Sequence, residues 1–528
     1  MPRVSSPNRD VFRSDDAPSK LIAKNVAGRY AALIVDTVIG LVLLPFNVSH
    51  LGAAAYGVWL LASSVTIHFS VLDLGFGGAF VRFVARYRAR RDATALNEIA
   101  STLFFVYAGV GVLAYIVAAI VAFNLGALFR ITPEQAEVGR WLLLIIGVQV
   151  ALNFPFSIFG GVVNGFQRYN VNSGVSIVSS VAVAAVNVAV LKAGYGLVPL
   201  VLATTSIRVA TYFVYWRNAR HTYPALRVSP SFFRRDRLRE LMGFSVYSLL
   251  IDVGYRLNYQ VDQIVIGTFL GVTPIAVWAP ASRIVTATQQ LTNQLNSVLF
   301  PVVVDSDAVA RADRLRRIFV HGTRLSLAMV LPIGVTLVAL ADPLIHAWVG
   351  ARVSEMQGSV PVLQILSIAI MFRVGAGTAT TLLKGGGMHR LMATVSIVTG
   401  IANVVASVAL VRPLGLRGVA LGTLIPVACS TCFFVYPAAC RRVAIPFRTF
   451  FAQAIWPALW PAVILGAAYY TLLPADLPRR LAVIAVESMV GGLLYLALFG
   501  VMAIGRRDRE MYTSVAAHLL QRPRLAAA

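Results

Sequence analysis

The chain has 528 residues, of which 58% are hydrophobic and only 13% are charged. A soluble domain carries roughly 25% charged residues, so this composition excludes an ordinary soluble enzyme and indicates an integral membrane protein. A net charge of +24 would suggest nucleic acid as the partner of a soluble chain. In a membrane protein the positions of the basic residues matter more than their sum, and we expect no nucleic-acid partner.

The order of elements begins with a polar, proline-containing segment, residues 1–25, which we interpret as a cytoplasmic tail and not as a signal peptide. Apolar runs of about 20 residues follow almost to the end, each long enough to cross the bilayer as a helix. The fold class is therefore all-α integral membrane protein. We predict about fourteen transmembrane helices, over approximately residues 26–48, 55–75, 98–123, 141–164, 172–191, 197–216, 243–269, 275–303, 319–341, 361–383, 391–411, 418–438, 452–473 and 481–504.

The basic residues are distributed unevenly between the connections of these helices. Most of the 46 Lys and Arg residues fall in the two tails and in every second connection. Cytoplasmic loops of membrane proteins carry such an excess of Lys and Arg. The pattern predicts that both termini are cytoplasmic, which requires an even number of spans.

A glycine cluster follows the second predicted span, in the stretch LDLGFGGAFVRFVARYRARRD at 72–92. Gly75, Gly77 and Gly78 nearly form a dinucleotide-binding fingerprint, but Phe80 stands where its third glycine belongs and no strand pattern precedes it. The stretch is therefore interpreted as a basic cytoplasmic loop with helical spacing of its arginines.

Three arginines of this stretch share one helical face, which we call the cytoplasmic basic face: Arg82, Arg86 and Arg90. Two interpretations stay open. The face is a solvated anchor attracted to anionic headgroups, or it receives the phosphate of a lipid-linked substrate.

The sequence also repeats itself at an offset of about 220 residues, a sign of duplicated bundles. FNVSHLGAAAYGVWLLAS at 46–63 resembles GTFLGVTPIAVWAPAS at 267–282, and VSIVSSVAVAAVNVAV at 175–190 resembles VSIVTGIANVVASVAL at 395–410. The offset skips an even number of spans, so both halves have the same orientation in the membrane. We predict two pseudo-symmetric six-helix lobes followed by a C-terminal helix pair.

The predicted organisation has six parts. They are a cytoplasmic tail (1–25), an N-terminal six-helix lobe (26–216), a basic cytoplasmic linker (217–242), a C-terminal six-helix lobe (243–438), the extra helix pair (439–504) and a second cytoplasmic tail (505–528).

The chain resembles the polysaccharide flippases of the multidrug/oligosaccharidyl-lipid/polysaccharide exporter superfamily. Three features carry the resemblance: the grouping of the spans as six, six and two, the end of the first helix with LGxxxYGVW, and DLGFGGAFVRFVARYRARRD after the second. The resemblance covers nearly the whole chain. It implies two lobes around a central cavity and a transporter, not an enzyme. The implied substrate is undecaprenyl-diphosphate-linked oligosaccharide for surface polysaccharide such as lipopolysaccharide, moved from the cytoplasmic to the periplasmic leaflet by alternating access.

The same resemblance implies a bacterial inner membrane location. It implies a polyprenyl-diphosphate-linked oligosaccharide and membrane lipids as partners, with polysaccharide polymerase or assembly proteins as further ones. No cofactor or metal is expected. The CxxC formed by Cys429 and Cys432 lies in an apolar span, where cysteines pack as small hydrophobic residues.

Charged side chains within the spans are expensive in lipid and normally face a partner or a water-filled cavity. The seventh span places its polar residues on one helical stripe, and the first span has a similar stripe that includes Asn25 and Asn47. A diphosphate would favour arginine, whose forked donors match phosphate oxygens. The predicted substrate cavity comprises Arg29, Asp36, Asp252, Tyr255, Arg256, Tyr259, Asp262, Arg283 and Arg373.

Alternatives remain for individual groups of this cavity. Asp252 and Arg256 have i, i+4 spacing and could neutralise one another. Asp36 and Asp262 are candidates for binding a coupling cation or proton, because a carboxylate in low dielectric can take up and release a proton.

Three other functions compete with the main hypothesis. A multidrug antiporter of the same superfamily would need an acidic, aromatic cavity, whereas the intramembrane arginines favour an anion. A lipid II flippase satisfies the same charge argument. A membrane glycosyltransferase or polymerase would need positioned carboxylates or bases on the outer face, and the exterior loop HLGAAAYG at 50–57 has no carboxylate.

Overall fold

The computed structural model describes residues 18–242, 246–308, 312–349, 356–472 and 480–503. The side chains of Asp252 and Tyr259 lie outside this description, although their backbone is helical. Helices and the turns between them make up the described chain. The all-α class predicted from the sequence is thereby confirmed.

The described residues form two compact units, which are divided between Val277 and Trp278. The helices that begin in the first unit are α1 (Pro18–His68), α2 (Phe76–Arg90), α3 (Ala93–Phe123), α4 (Leu125–Leu128), α5 (Pro133–Gly165), α6 (Tyr169–Lys192), α7 (Leu197–Thr222), α8 (Arg235–Met242), α9 (Val246–Tyr259), α10 (Asp262–Phe269) and α11 (Thr273–Ala308). The division between the compact units thus falls within α11, later than the predicted linker, because α10 packs against α1. The proposed division into lobes stays a prediction.

The second unit continues the helical pattern. Its described helices are α12 (Ala312–Ala339), α13 (Ala341–Val349), α14 (Ser359–Gly375), α15 (Gly377–Gly385), α16 (His389–Leu414), α17 (Leu416–Cys429), α18 (Tyr436–Arg442), α19 (Phe447–Phe450), α20 (Trp456–Leu472) and α21 (Leu481–Leu498).

Eleven helical segments of the described chain are long and apolar enough to cross a membrane. The first of them, Ala27–Asp73, has 47 residues, about twice what one crossing needs. It is bent at Gly52, whose φ is 80°. Two predicted spans therefore lie in this one segment. The α9–α10 and α11 regions are helical but more polar or interrupted, so the count of fourteen spans stays a prediction.

The bend at Gly52 has a counterpart in the internal repeat. Gly271, which the repeat aligns with Gly52, also has a positive φ of 97°. Gly57, in the helix after the bend, packs against the turn at Gly271, because a Cβ added to Gly57 would lie 2.0 Å from the carbonyl oxygen of Val272. Both Leu-Gly pairs thus place glycine at a positive φ, which other residues rarely adopt.

α3 shows why the chain needs a lipid environment. One side of this helix is buried against the rest of the unit, but Val112, Ile116, Ile120 and Phe123 are all at least half exposed. A stripe of large apolar side chains on the outside of a unit marks a surface that water does not cover. The stripe fits contact with acyl chains, as the sequence composition predicts.

The first unit is held together by close contact between α3 and α5. Gly111 on α3 is buried, and a Cβ at this position would lie 2.3 Å from the carbonyl oxygen of Ala151 on α5. Gly109, two residues earlier on the same helix, is exposed and has nothing within 4 Å of its added Cβ. The two glycines therefore provide a matched pair of positions.

We expect Gly111→Ala to destabilise the protein by about 1–3 kcal/mol, since overpacking a backbone contact forces the helices apart. Gly109→Ala should be neutral or slightly stabilising, because alanine is the better helix former. Thermal unfolding of the purified variants in the same detergent checks this. Equal unfolding temperatures for the two variants would show that α3 and α5 do not meet at Gly111.

The C-terminal helices pack onto α12 within the second unit. The Tyr469 hydroxyl on α20 donates to the carbonyl oxygen of Glu487 on α21 at 3.1 Å. The same hydroxyl also lies within hydrogen-bond distance, 3.1 Å, of the Thr336 hydroxyl on α12. Tyr495 on α21 donates to the carbonyl oxygen of Ala458 at 2.9 Å. Buried tyrosine hydroxyls thus join the helix pair to the unit.

The seventh predicted span is not one straight helix, which corrects the single stripe drawn from its sequence. α9 ends at Tyr259 and α10 begins at Asp262. In a continuous helix the N–H of Ile264 would donate to the carbonyl oxygen of Gln260. It donates to the carbonyl oxygen of Val261 at 2.9 Å, and the Gln260 carbonyl oxygen accepts from the Ser64 hydroxyl at 3.5 Å. Asp262 therefore lies on a different helix from Arg256, and the 100° per residue spacing does not carry across the break.

Candidate functional site

The glycine cluster after the second span is a turn and not a phosphate-binding loop. A 3₁₀ helix, Phe69–Asp73, ends α1, and the next two residues, Leu74 and Gly75, have left-handed φ values of 51° and 77°. α2 then begins at Phe76. The bend redirects the chain out of the span, and it leaves Asp73 accepting a hydrogen bond from the hydroxyl of Tyr107 on α3.

α2 has two distinct faces. Phe80, Val84 and Tyr87 are buried against the unit. The exposed face carries the residues of the cytoplasmic basic face, Arg82, Arg86 and Arg90. The segment described from the sequence as a basic loop is therefore a helix, because Phe80, Val84 and Tyr87 recur on one helical face and pack it against the unit.

A charged cluster joins α2 to α3 and α8. Arg237 donates from Nε and Nη2 to the Glu98 carboxylate at 3.1 and 3.0 Å and from Nη1 to Tyr87 at 3.1 Å. The Tyr87 hydroxyl donates to Glu240 at 2.9 Å, and Arg86 pairs with the same carboxylate at 3.4 Å. Burial and the bond to Glu240 raise the pKa of Tyr87 above its usual value. One arginine of the basic face is thus partly engaged by α8.

The predicted interlobe linker is bound along α3, a feature that the sequence analysis missed. Asn97, Ser101 and Thr102 on α3 are buried, and each both donates to a linker carbonyl and accepts from a linker N–H, over distances of 3.0–3.4 Å. We call the bound segment, residues 223–234, the linker strap. Its participating residues are Ala225, Arg227, Ser229 and Arg234. The sequence did contain a sign of this contact, because Asn97, Ser101 and Thr102 are polar residues in an otherwise apolar helix.

We expect Asn97→Leu to release the linker strap locally, because the Ala225 carbonyl oxygen and the Arg227 N–H lose their partner on α3, at a cost of about 1 kcal/mol for each hydrogen bond. Trypsin should then cleave faster at Arg227 and Arg234, which are exposed residues of the strap. Asn124→Leu is the matched control, since Asn124 is exposed and bonds only to its own helix at Ile120. Unchanged cleavage in Asn97→Leu would contradict the role of Asn97.

Arg256 is the best-defined of the predicted cavity residues. It lies on α9, half-buried, and donates to the Ser70 hydroxyl, to Gln260 Oε1 at 3.2 Å and to the Ile67 carbonyl oxygen at 3.5 Å. Ser70 belongs to the 3₁₀ helix that ends α1. The arginine thus joins the end of the second predicted span to α9.

His68 lies near this arginine, and its Nδ1 is 2.6 Å from the Ser64 carbonyl oxygen. Tyr255 is exposed, while Asp262 is buried at the first turn of α10. The predicted pairing of Arg256 with Asp252 concerns a side chain outside the described residues and stays open, as does the position of the Tyr259 side chain.

The start of α1 packs on the turn between α5 and α6. Asn25 donates to the Gln167 carbonyl oxygen at 2.7 Å and accepts from the Asn170 N–H at 3.0 Å. The Arg29 guanidinium lies 6.0 Å from the ring centre of Tyr169. This end of the predicted polar stripe therefore has local partners. Asp36, farther along α1, is exposed.

The remaining predicted residues lie in the second unit. Arg283 is half-buried on α11, and Arg373 is half-buried in the last turn of α14. Arg324 on α12, which the sequence analysis did not include, is buried and donates from Nε and Nη2 to the Gln453 carbonyl oxygen at 2.8 and 2.6 Å. Its position in a long apolar helix was the only sequence signal.

Comparison with known proteins places this arrangement in a family. A model described as polysaccharide biosynthesis protein matches residues 51–357. The probable flippase AglR of Haloferax volcanii is 24% identical over 76% of this chain and 80% of its own. The uncharacterized membrane protein EpsK of Bacillus subtilis is 22% identical over 78% of this chain and 81% of its own.

Solved structures show the same fold at low sequence identity. A lipid II flippase MurJ in an inward closed conformation has a TM-score of 0.71 at 15% identity, covering 90% of this chain and 98% of its own. An inward-facing multidrug transporter of the MATE family has a TM-score of 0.61 at 17% identity, covering 78% of this chain and 94% of its own.

The eleven long apolar helices of the described residues define a multi-pass membrane protein. The chain belongs to the polysaccharide biosynthesis protein family. The resemblance to polysaccharide flippases found from the sequence is thereby confirmed. The relatives named by activity are flippases and the structural neighbours are transporters, in agreement with a transporter and not an enzyme.

Proposed function

We propose that the protein flips a polyprenyl-diphosphate-linked oligosaccharide, such as the undecaprenyl form, from the cytoplasmic to the outer leaflet for surface polysaccharide biosynthesis. The observation that carries the proposal is membership of the polysaccharide biosynthesis family over residues 51–357. A flippase moves a lipid between leaflets, so a flippase of polysaccharide assembly requires a saccharide attached to a lipid. The relative named as a flippase supports this assignment.

The anionic link between lipid and saccharide accounts for the arginines within membrane helices. Arg256 on α9 extends its guanidinium to the end of the second predicted span, where it contacts neutral oxygens of Ser70 and Gln260. Guanidinium groups bind phosphate oxygens through paired donors. We assign Arg256, Arg283 and Arg373 to the diphosphate, and Tyr255 and Tyr259 to packing against sugar or isoprenoid.

Entry of the substrate is assigned to the cytoplasmic basic face. Its three arginines are exposed directly after the chain leaves the membrane segment. Basic side chains near a membrane surface attract anionic headgroups by about 1 kcal/mol each. This placement assumes that both termini are cytoplasmic, as the distribution of basic residues predicts. It also assumes that the membrane is the bacterial inner membrane, as the family resemblance implies.

Transport by alternating access needs an energy source, and we propose coupling to a cation or proton. Asp262 is buried at the first turn of α10 and Asp36 is exposed on α1, so the two carboxylates proposed from the sequence have different surroundings.

Mass spectrometry of lipids that co-purify with the protein tests the substrate class directly. We expect polyprenyl-diphosphate saccharides to be enriched over the bulk membrane lipids, and the enrichment to fall in Arg256→Ala. A preparation that carries only bulk phospholipids would contradict the assignment.

A further inference from the structure

The first unit contains a cavity that none of the residues assigned to the substrate lines. It has a volume of about 400 Å³ and lies between α2, α3, α5, α6 and α7. Sites for small molecules have volumes of roughly 300–1,000 Å³, so the cavity has the size of a ligand site. Asn153 and Ser157 of its lining are exposed one turn apart on α5. A ligand can therefore reach the cavity from outside the unit.

The wall of the cavity combines aromatic rings with polar groups. Four helices contribute the aromatic side chains, which are Phe80, Tyr107, Phe156, Tyr212 and Tyr215. Phe156 and Tyr212 stack with their ring centres 6.0 Å apart. The face of an aromatic ring is slightly negative and attracts the slightly positive C–H groups of a neighbour. Such a wall suits a ligand that has C–H groups on its faces and polar groups around its edge, as a sugar ring has.

Asn172 leaves a buried acceptor in this wall. Its Nδ2 donates to the Gly160 carbonyl oxygen at 2.9 Å and to Asn164 Oδ1 at 2.8 Å, which fixes the orientation of the amide. Its Oδ1 is buried and accepts no hydrogen bond from a described residue. Because an unpaired buried acceptor is unfavourable, a ligand hydroxyl that donates to Oδ1 would be stabilised there.

The neighbouring polar groups leave both acceptors and donors for a ligand. The Ser157 hydroxyl donates to the Phe154 carbonyl oxygen at 2.7 Å, so its oxygen can still accept. Asn164 accepts from Asn172 through Oδ1, while its Nδ2 donates to no described residue. Asn153 makes no side-chain hydrogen bond within the described chain. A sugar hydroxyl both donates and accepts, so it can use either kind of group.

The charged groups of the lining exclude an anionic ligand. Asp73, which accepts from the Tyr107 hydroxyl, is the one carboxylate among the lining residues of the described chain, and no Lys or Arg is among them. A phosphate or an acidic sugar in the cavity would lose hydration without gaining a cation in the wall. An uncharged sugar has no such requirement.

The cavity adjoins the arginine that we assign to the diphosphate. Ser70, which accepts from Arg256, and Asp73, which lines the cavity, both belong to the 3₁₀ helix Phe69–Asp73. Residues three apart in a 3₁₀ helix lie on the same side, about 6 Å from each other along the axis. A diphosphate at Arg256 would therefore place the sugar directly attached to it, and not the far end of the oligosaccharide, beside Asp73.

We propose that this cavity binds the sugar directly attached to the diphosphate, and that this sugar is uncharged. Asn172 Oδ1 and Ser157 Oγ accept from its hydroxyls, the amides of Asn153 and Asn164 donate to them, and the aromatic rings pack against its faces. The inference rests on the proposed function, because it takes a lipid-linked saccharide as the ligand. Its consequence is selectivity, since a bare polyprenyl diphosphate carries the same phosphates but leaves the cavity unfilled.

Mass spectrometry of the lipids retained by the full-length purified protein tests this selectivity. The measured quantity is the ratio of glycosylated to bare polyprenyl diphosphate, divided by the same ratio in the source membranes. We expect an enrichment of at least about tenfold for the wild type, since a few hydrogen bonds to the sugar are sufficient for it. Fragmentation of the retained lipids should show an uncharged sugar next to the diphosphate.

Three variants change the cavity and leave Arg256 in place. Asn172→Leu removes the buried acceptor. An added Cβ on Gly160 meets only Asn172 Nδ2, at 3.6 Å, so Gly160→Val fills the cavity beside Asn172. Ser157→Leu narrows the mouth from an exposed position, where a larger side chain does not disturb folding. Each should lower the enrichment about tenfold, while the amount of bare polyprenyl diphosphate that is retained does not fall.

Ser206→Leu is the matched control for Ser157→Leu. Ser206 is an exposed serine outside the lining, and it donates to its own helix at Leu202, 2.9 Å away. It should enrich glycosylated lipid like the wild type.

The outcomes separate this inference from the proposed function. The sugar site is overturned if Gly160→Val and Ser157→Leu keep the wild-type enrichment, if Ser206→Leu loses it as they do, or if the retained lipids carry an acidic sugar next to the diphosphate. In each case the wild type still retains polyprenyl-diphosphate saccharides, so the flippase assignment stands. A wild-type preparation that retains no polyprenyl-diphosphate lipid overturns the proposed function, and the sugar site with it.

Discussion

Replacing Arg256 by alanine is expected to abolish transport of lipid-linked oligosaccharide while the protein still inserts in the membrane. The guanidinium contacts Ser70, Gln260 and the Ile67 carbonyl oxygen, which places it where the end of the second predicted span meets α9. Loss of a charged hydrogen bond costs about 2 kcal/mol, which corresponds to roughly thirtyfold in affinity. Arg256→Lys should restore transport only in part, because the forked donors are lost.

Protein abundance separates this role from a local ion pair. If Arg256 mainly neutralises Asp252, Arg256→Ala should lower abundance and the double variant with Asp252→Asn should restore it, because breaking a buried pair leaves one charge without a partner. Arg220→Ala is the matched control, since Arg220 is exposed in the last turn of α7 and stacks 4.6 Å from the ring centre of Trp216. Normal transport by Arg256→Ala at normal abundance would remove Arg256 from the substrate site.

Neutralising the cytoplasmic basic face is expected to reduce transport strongly. Changing Arg82, Arg86 and Arg90 together to glutamine removes about 3 kcal/mol of attraction to anionic headgroups, at about 1 kcal/mol for each cation near the surface. The corresponding loss in headgroup capture is on the order of a hundredfold. Transport measured at increasing salt should converge for the two proteins, because the attraction is screened.

The triple lysine variant distinguishes the two interpretations of this face. A solvated anchor needs charge alone, so lysine should restore transport fully, whereas a phosphate dock needs the arginine fork and lysine should restore it partly. A control that removes three other exposed arginines, Arg227, Arg235 and Arg239, should transport normally if the position of the face decides capture, and should lose transport if the general charge of the predicted cytoplasmic surface does. Wild-type transport by the triple glutamine variant would show that the face has no part in substrate capture.

Much of the fold could be predicted from the sequence, because backbone polar groups within a lipid bilayer must form their hydrogen bonds inside the protein. Apolar runs of about 20 residues must be helices in a bilayer, which is why the all-α class was predicted. The repeat also aligned Gly52 with Gly271, and both have the positive φ that only glycine adopts readily. The alignment of two short motifs was enough to pair these glycines, because the backbone conformation at a turn depends mainly on the residues in it.

The details that the sequence did not show depend on contacts between distant segments. The break between α9 and α10 involves a hydrogen bond from Ser64, which lies 196 residues before Gln260. Because the partner is so distant in the chain, the helical periodicity of the local sequence does not show the break. The linker strap depends on pairing of Asn97 with backbone groups of residues 225–227, and backbone groups leave no pattern in side-chain composition. In the sequence Asp73 belongs to a glycine-rich motif. Its hydrogen-bond donor, Tyr107, lies 34 residues later in the chain, so the local pattern does not reveal the contact.

The most direct test of the flippase assignment is translocation in liposomes that contain only the purified protein and a polyprenyl-diphosphate-linked oligosaccharide with a fluorescent sugar. A membrane-impermeant quencher reports how much of the sugar is in the outer leaflet. We predict that the wild type moves protected sugar into the outer leaflet far faster than protein-free liposomes do, and that Arg256→Ala does not. Translocation no faster than in protein-free liposomes, together with uptake of a lipophilic organic cation by the same preparation, would contradict the flippase assignment and favour a drug antiporter.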